Sequence, residues 1–345
     1  MADQPGKSKS LIAQSSWYRT LAKYEKPDPR KAVWQLLNTL IPYAALWVVM
    51  VWMIRTGVSY WLALPLIVVA GALLIRIFIF FHDCCHGSFF ASRTANRIWG
   101  YICGVLTFTP YDDWRHKHAG HHATAANLDR RGVGDIWTMT VSEYLAAPLR
   151  TRIAYRFFRN PLILFVLGPP LVFIISQRFP DKGHGPRERN SVALTNLALL
   201  GILAAAIWTI GWRTYLMIQV PTMGIAGAIG IWLFYVQHQF EKDYWARQED
   251  WDPMRAALEG SSYYKLPKVL QWFTGNIGLH HIHHLRPRIP NYNLQRCYNE
   301  IPDLQAVEPL TFGRSLTSLW MNLWDETSQK MVSFRALKKR RAQRL

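Results

Sequence analysis

Residues 61–90 read WLALPLIVVAGALLIRIFIFFHDCCHGSFF, an apolar stretch that ends in two histidines four positions apart. From Ser59 to Phe81 the stretch is long enough to cross a bilayer as a helix. His82 and His86 follow at its end and share one helical face. The sequence therefore predicts a membrane helix that brings two imidazoles to the membrane surface.

Further apolar blocks of similar length cover residues 37–54, 192–210 and 215–236. Two shorter apolar pieces, 98–110 and 161–176, are predicted to lie at the interface or to re-enter the membrane, because they are short for a span. The second piece carries Pro169 and Pro170 at its centre, where a proline pair is expected to break a helix. We therefore predict an all-α integral membrane fold with four transmembrane helices.

The chain has a large excess of basic residues, with a formal net charge of +18. Beside apolar blocks of this length, the excess favours contact with anionic lipid head groups over nucleic-acid binding. The basic connector 177–191 is predicted on the cytoplasmic side. Composition divides the chain into a polar N-terminal segment 1–33, a membrane domain 34–310 and a basic C-terminal segment 311–345.

All but one of the twelve histidines fall in four short stretches. Two triplets are spaced i, i+3 and i+4, so each triplet shares a helical face. His238 follows directly on the last apolar block and can reach the same site. The predicted metal ligands are His82, His86, His118, His121, His122, His238, His280, His283 and His284.

Imidazole is a ligand for iron, copper, nickel and zinc, and this many ligands suits two ions. His116 and His281 point away from the ligand faces and are predicted to lie behind the ligands or at the surface. His184, in the basic connector, is predicted to be exposed. A metal-bound histidine usually gives its other N–H to a carboxylate or a carbonyl. The candidate carboxylates are Asp83, Asp113, Asp135 and Glu241.

These motifs resemble a known family. The runs 82–89, 114–131 and 278–290 resemble the three histidine boxes of the membrane fatty acid desaturases, with the acyl-lipid branch and bacterial connecting sequence as the nearest match. The resemblance covers about residues 35 to 300. One departure is Cys85, which stands between two ligands where the family commonly has glycine.

The resemblance implies an activity and its cofactors. It implies two iron ions, O2 as co-substrate, and a cis double bond introduced into the acyl chain of a lipid. It also implies a cytoplasmic cap that carries the di-iron site, in a multi-pass protein of the bacterial inner membrane. Because the sequence has no haem, flavin or nicotinamide fingerprint, electrons are expected from an external donor of the ferredoxin or cytochrome b5 type.

Two other classes of protein share some of these features. A related membrane di-iron hydroxylase or ketolase, acting on alkyl, sterol or carotenoid substrates, would use the same site with a different product. A histidine-rich metal transporter or sensor would place its ligands at mid-bilayer. Here the histidines lie beyond the ends of the apolar blocks, which disfavours the transporter.

Overall fold

The computed structural model describes residues 16–342 apart from residue 133. Its helices are α1 Ser16–Thr20, α2 Pro29–Arg55, α3 Tyr60–His86, α4 Arg93–Leu106, α5 Tyr111–Thr124, α6 Val141–Ala146, α7 Leu149–Phe158, α8 Pro186–Thr209, α9 Trp212–His238, α10 Pro253–Leu258, α11 Lys268–Phe273, α12 His280–Leu285, α13 Asn291–Glu300, α14 Pro302–Gln305, α15 Phe312–Ser315 and α16 Phe334–Ala342. Its strands are β1 Met139–Thr140, β2 Tyr263–Lys265, β3 Pro309–Thr311, β4 Leu323–Asp325 and β5 Lys330–Val332. Residues 1–15 of the predicted polar segment lie outside the described residues.

Four helices, α2, α3, α8 and α9, are long and apolar enough to cross a membrane. They cover the four blocks that the sequence predicts as spans to within one residue at each end. The first begins at Pro29 because the Asp28 carboxylate accepts hydrogen bonds from the Arg30 and Lys31 amides. The second ends at His86 because Gly87 adopts the left-handed conformation, φ 67°, that stops a helix.

Helix α3 lies at the centre of the helical core. Its side chains Ile67, Leu74 and Phe81 are fully or almost fully buried. At Gly71 the absence of a side chain lets α9 come close, because a Cβ there would lie 2.9 Å from Cγ2 of Ile225. Neighbours on several sides therefore fix the orientation of the last turn of α3, which carries the first two histidines.

The segment 161–178 differs from the sequence-based prediction of a proline break. Helical turns run through Pro169 and Pro170, with π-helical turns at Ile163–Leu167 and Pro170–Ile175. The wider π turn accommodates a proline ring that would clash with a carbonyl of an α turn. This segment meets α7 at a bend of 64°, so the pair is either a broken span or a re-entrant loop.

The shorter apolar piece 98–110 lies mostly in α4. The helix starts at Arg93, where the Ser92 hydroxyl accepts a hydrogen bond from the Ala95 amide at 3.2 Å. One face of α4 is buried, and the opposite face leaves Ile98 and Ile102 exposed. An exposed apolar face of this kind is compatible with the predicted position at the membrane interface.

The chain is mostly helical, as the predicted all-α fold requires, but it also contains two small sheets that the prediction did not include. Strand β4 pairs in parallel with β1 and antiparallel with β5, and β2 pairs in parallel with β3. Strands of two or three residues are too short to show an alternating pattern in the sequence. Trp324 of β4 is buried in a cluster with Leu128 and Trp245, so part of the predicted segment 311–345 packs against the chain just after the histidines of the second box.

Candidate metal centre

The predicted ligands converge at one end of the helical core. His82 and His86 lie in the last turn of α3, and His238 is the last residue of α9. The second box lies on α5 and the third on α12. Because helices hold all four segments, each imidazole is held by a regular backbone.

Five of the imidazoles form one group, in which one ring nitrogen from each lies within 4.8 Å of all the others. The members of this five-histidine group are His82, His86, His118, His122 and His283. The group draws on α3, α5 and α12, so three segments far apart in sequence contribute to it.

A second group forms around His238. Ring nitrogens of His121, His238 and His284 lie within 4.8 Å of one another. Nε2 of His280 lies 3.0 Å from Nε2 of His238, which makes a four-histidine group. The two groups adjoin, since the rings of His122 and His284 stack with centroids 4.2 Å apart.

Ring nitrogens face one another inside the cluster. Nε2 of His122 lies 3.1 Å from Nε2 of His118 and 3.0 Å from Nε2 of His283. Among the described residues, the buried Nε2 atoms of His86 and His284 have no hydrogen-bond partner. A buried polar atom without a partner is costly, whereas a metal ion would use these lone pairs. The arrangement of these ring nitrogens therefore fits bound metal ions.

The environment also favours the neutral form of the imidazoles. Burial, and then repulsion from neighbouring imidazoles, lowers the pKa of His118, His122 and His283 well below the ordinary value. A neutral imidazole is the form that binds a metal. The Trp114 ring stacks on His118 with centroids 4.2 Å apart and shields that side of the cluster.

Two of the predicted carboxylates contact the cluster. Oδ1 of Asp83 lies 3.1 Å from Nδ1 of His82, and Oδ1 of Asp135 lies 2.6 Å from Nδ1 of His121. With Nδ1 protonated, each imidazole donates to its carboxylate and directs Nε2 into the cluster.

The other two predicted carboxylates lie elsewhere. Asp113 contacts Lys117 at 2.8 Å and Nδ1 of His184 at 2.6 Å, and it contacts none of the predicted ligands. Glu241 is exposed, and its backbone carbonyl accepts a hydrogen bond from the Met331 amide. The prediction that His184 is exposed is wrong, because its side chain is 11% exposed and packs against α5 through Asp113.

The remaining two histidines lie outside both groups. His116 is at the surface, with 62% of its side chain exposed. His281 is fully buried on the other side of α12, where its ring packs 5.9 Å from that of Tyr263. Both positions agree with the helical-face argument from the sequence.

Two supporting groups were missed by the sequence analysis. The amide N–H and side-chain Nδ2 of Asn291 both donate to Oδ2 of Asp83, at 2.7 and 2.9 Å. The carbonyl of Gly260 accepts from Nδ1 of His238 at 3.2 Å. A backbone carbonyl has no signature in the sequence. Asn291 directly follows the third box, and this proximity was the only available signal.

Comparisons with known proteins identify the family. The sequence matches the family described as "Fatty acid desaturase" over residues 59–313. It is 50% identical to the "Fatty acid desaturase" of Bacillus subtilis over 325 residues, which cover 94% of this chain and 92% of that protein. It is 26% identical to the "sn-1 oleoyl-lipid 12-desaturase" of Synechocystis, with 72% and 71% of the two chains covered. It is 27% identical to the "sn-1 acyl-lipid omega-3 desaturase (ferredoxin)" of Nostoc, with 77% and 74% covered.

Long apolar helices that end in a cluster of imidazoles define a membrane protein with a histidine-rich candidate metal site. The chain belongs to the fatty acid desaturase family. It is an oxidoreductase that introduces a double bond into a fatty acyl chain, so the predicted activity is confirmed. The comparisons favour this activity over the hydroxylase or ketolase alternative.

Proposed function

We propose that the clustered histidines hold two iron ions, one in each group, and that the protein uses O2 to form a cis double bond in a lipid acyl chain. The observation that carries this proposal is the convergence of a five-histidine and a four-histidine group from four separate segments. Imidazole binds several metals, but zinc has no redox chemistry, and desaturation is an oxidation. Iron is the metal that the family implies.

Bound iron would supply the activation of O2 that removes two hydrogens from adjacent methylene groups. The task of the protein is placement. Asp83 and Asp135 hold the tautomers of His82 and His121, so that Nε2 faces the metal side. Phe234 packs against His121 with ring centroids 5.2 Å apart and helps to keep water from the four-histidine group. A flexible acyl chain must be held with one C–C bond at this place.

The proposed substrate is the acyl chain of a membrane lipid, delivered from the bilayer that surrounds the apolar helices. Two relatives are named for acyl-lipid substrates, and the long apolar helices of this chain support a similar membrane setting. The proposed electron donor is an external protein of the ferredoxin or cytochrome b5 type. The name of the Nostoc relative includes ferredoxin, which supports the first of these.

The proposed location is the bacterial inner membrane, with the histidines on the cytoplasmic side. The support is the position of the basic connector 177–191. Arg187 of this connector contacts Asp112 on α5 at 2.7 Å, so the basic residues and the second box share one end of the molecule. Basic segments of membrane proteins favour the cytoplasmic side.

Expression in a desaturase-deficient bacterial host, followed by fatty acid profiling with double-bond location, tests the proposed reaction. We expect a new cis-unsaturated acyl chain in the membrane lipids. The His86→Ala variant should give none, whereas His116→Ala should match the wild type, since His116 is exposed and outside both groups. A hydroxylated product from the iron-loaded wild type would contradict the proposal.

A further inference from the structure

A cleft of about 490 Å³ opens beside the five-histidine group at His86. Among the described residues that line it, the charged side chains are all arginines, and none is an aspartate or glutamate. The arginines are Arg93, Arg97, Arg115, Arg187 and Arg288. They come from α4, α5, the start of α8 and the loop after α12, so tertiary packing brings them together.

Most of this charge is not neutralised within the protein. Arg187 has a carboxylate partner, Asp112 at 2.7 Å. Among the described residues, the other four arginines of the cleft form no ion pair. Guanidinium groups that converge without acidic partners attract an anion, and their planar donors suit a phosphate.

The floor of the cleft is formed by side chains that hydrogen bonds hold to backbone carbonyls. Tyr111 is buried, and its hydroxyl donates to the Cys84 carbonyl at 2.9 Å. Nε of Arg115 donates to the Cys85 carbonyl at 3.1 Å, next to His86. The side chain of Asn96, also buried, donates to the Phe90 carbonyl at 2.6 Å. The fold therefore fixes the cleft against the first histidine box.

The surroundings of the cleft indicate where its anion comes from. Arg93 and Arg97 lie one turn apart on α4, and a different face of the same helix exposes Ile98 and Ile102. A helix that carries both arginines and an exposed apolar face is suited to the boundary between lipid head groups and hydrocarbon, because the long arginine side chains can reach the head groups. An anion at that depth is a lipid phosphate, with its acyl chain on the apolar side.

Building on the proposed function, we propose that this arginine cleft binds the phosphate of a phospholipid and thereby positions its acyl chain at the metal centre. Arg93 and Arg97 act as head-group contacts outside the set of metal ligands. The cleft makes the enzyme selective for acyl chains on phosphate-bearing lipids over the same chains on uncharged glycolipids.

The test compares two lipids with identical acyl chains, phosphatidylglycerol and galactosyl diacylglycerol, in nanodiscs, with the electron donor first set at a concentration that saturates the wild type. The Arg93→Glu/Arg97→Glu variant should raise the KM for phosphatidylglycerol about tenfold, with kcat within about twofold, because it removes charge-assisted contacts to the phosphate. Its KM for the glycolipid and its iron content should not change. Arg93→Lys/Arg97→Lys should recover part of the loss. Arg150→Glu/Arg335→Glu is the matched control, because both arginines are exposed and lie outside the cleft.

The proposal would be overturned if the variant lost activity equally on both lipids and a higher donor concentration restored that activity. The arginines would then bind an acidic donor protein. A binding measurement without turnover separates this proposal from the proposed reaction. Dihexanoyl phosphatidylglycerol should bind the detergent-solubilised wild type more tightly than the Arg93→Glu/Arg97→Glu variant, even if neither turns over. Equal affinity for the two proteins would reject the cleft as a phosphate site, whatever the catalytic result.

Discussion

Oδ1 of Asp135 lies 2.6 Å from Nδ1 of His121, and both side chains are almost fully buried. The opposite nitrogen of the same ring, Nε2, lies 3.2 Å from Nε2 of His238. Asp135 therefore controls the tautomer and the direction of one member of the four-histidine group, although it lies 14 residues further along the chain.

Removing the carboxylate charge at Asp135 should weaken the four-histidine group without removing a ligand. We expect Asp135→Asn to lower turnover by about 10- to 100-fold, with part of the iron retained, because the amide is a weaker acceptor for His121. Iron analysis and product formation measure the two effects. Asp113→Asn is the matched control and should keep full iron, because Asp113 contacts Lys117 and His184. Unchanged turnover in Asp135→Asn would contradict the supporting role of Asp135.

Loss of His238 should remove one metal site and stop the reaction. In His238→Ala we expect iron to fall from about two to about one per chain and product to disappear, because the central member of its group is lost. His118→Ala should also abolish product, through the other group. His238→Ala protein with full iron and normal product would exclude His238 from the site.

The proposed metal ions should be exchangeable. The purified protein should contain about two irons per chain, and chelation should abolish activity. Refilling with ferrous iron should restore activity, whereas zinc should occupy the imidazoles without restoring it, because zinc has no redox chemistry. Elemental analysis beside product formation distinguishes these results. An active protein with stoichiometric zinc and no iron would refute the iron proposal.

The topology can be measured with single cysteines. The four native cysteines are buried, so they should give little background with a membrane-impermeant thiol reagent. We expect Lys182→Cys and Arg150→Cys to be labelled from the cytoplasmic side, and Thr56→Cys, in the turn between α2 and α3, from the other side. Labelling of positions 150 and 182 from opposite sides would mean that the bent pair crosses the membrane as a fifth span.

A single methyl group should disturb the third histidine box. At Gly278 a Cβ would lie 2.3 Å from the Tyr264 carbonyl oxygen, two residues before His280. Gly278→Ala should therefore destabilise the protein by about 1–3 kcal/mol and lower its iron content, because backbone must shift next to α12. Thermal unfolding in detergent and iron analysis test this. Gly201→Ala on α8 is the control, since nothing lies within 4 Å of its added Cβ, and its unfolding temperature should not fall.

Local sequence periodicity was sufficient to predict the long helices and the histidines that share a helical face. Apolar blocks of span length and the i, i+3, i+4 spacing are properties of single helices, so they are visible without the rest of the fold. The same rule correctly placed His116 and His281 away from the cluster.

The tertiary structure decided how the histidines divide and what supports them. His118 and His122 join the group that contains the two histidines of α3, whereas His121, on the same helix, joins the group that contains His238 of α9. Asp135 rather than Asp113 contacts a clustered imidazole, although both are near the second box in sequence. Helical spacing gives the direction of a side chain but not its partner. The partner depends on packing between segments far apart in the chain, and that packing alone assembles the histidine cluster and the arginine cleft.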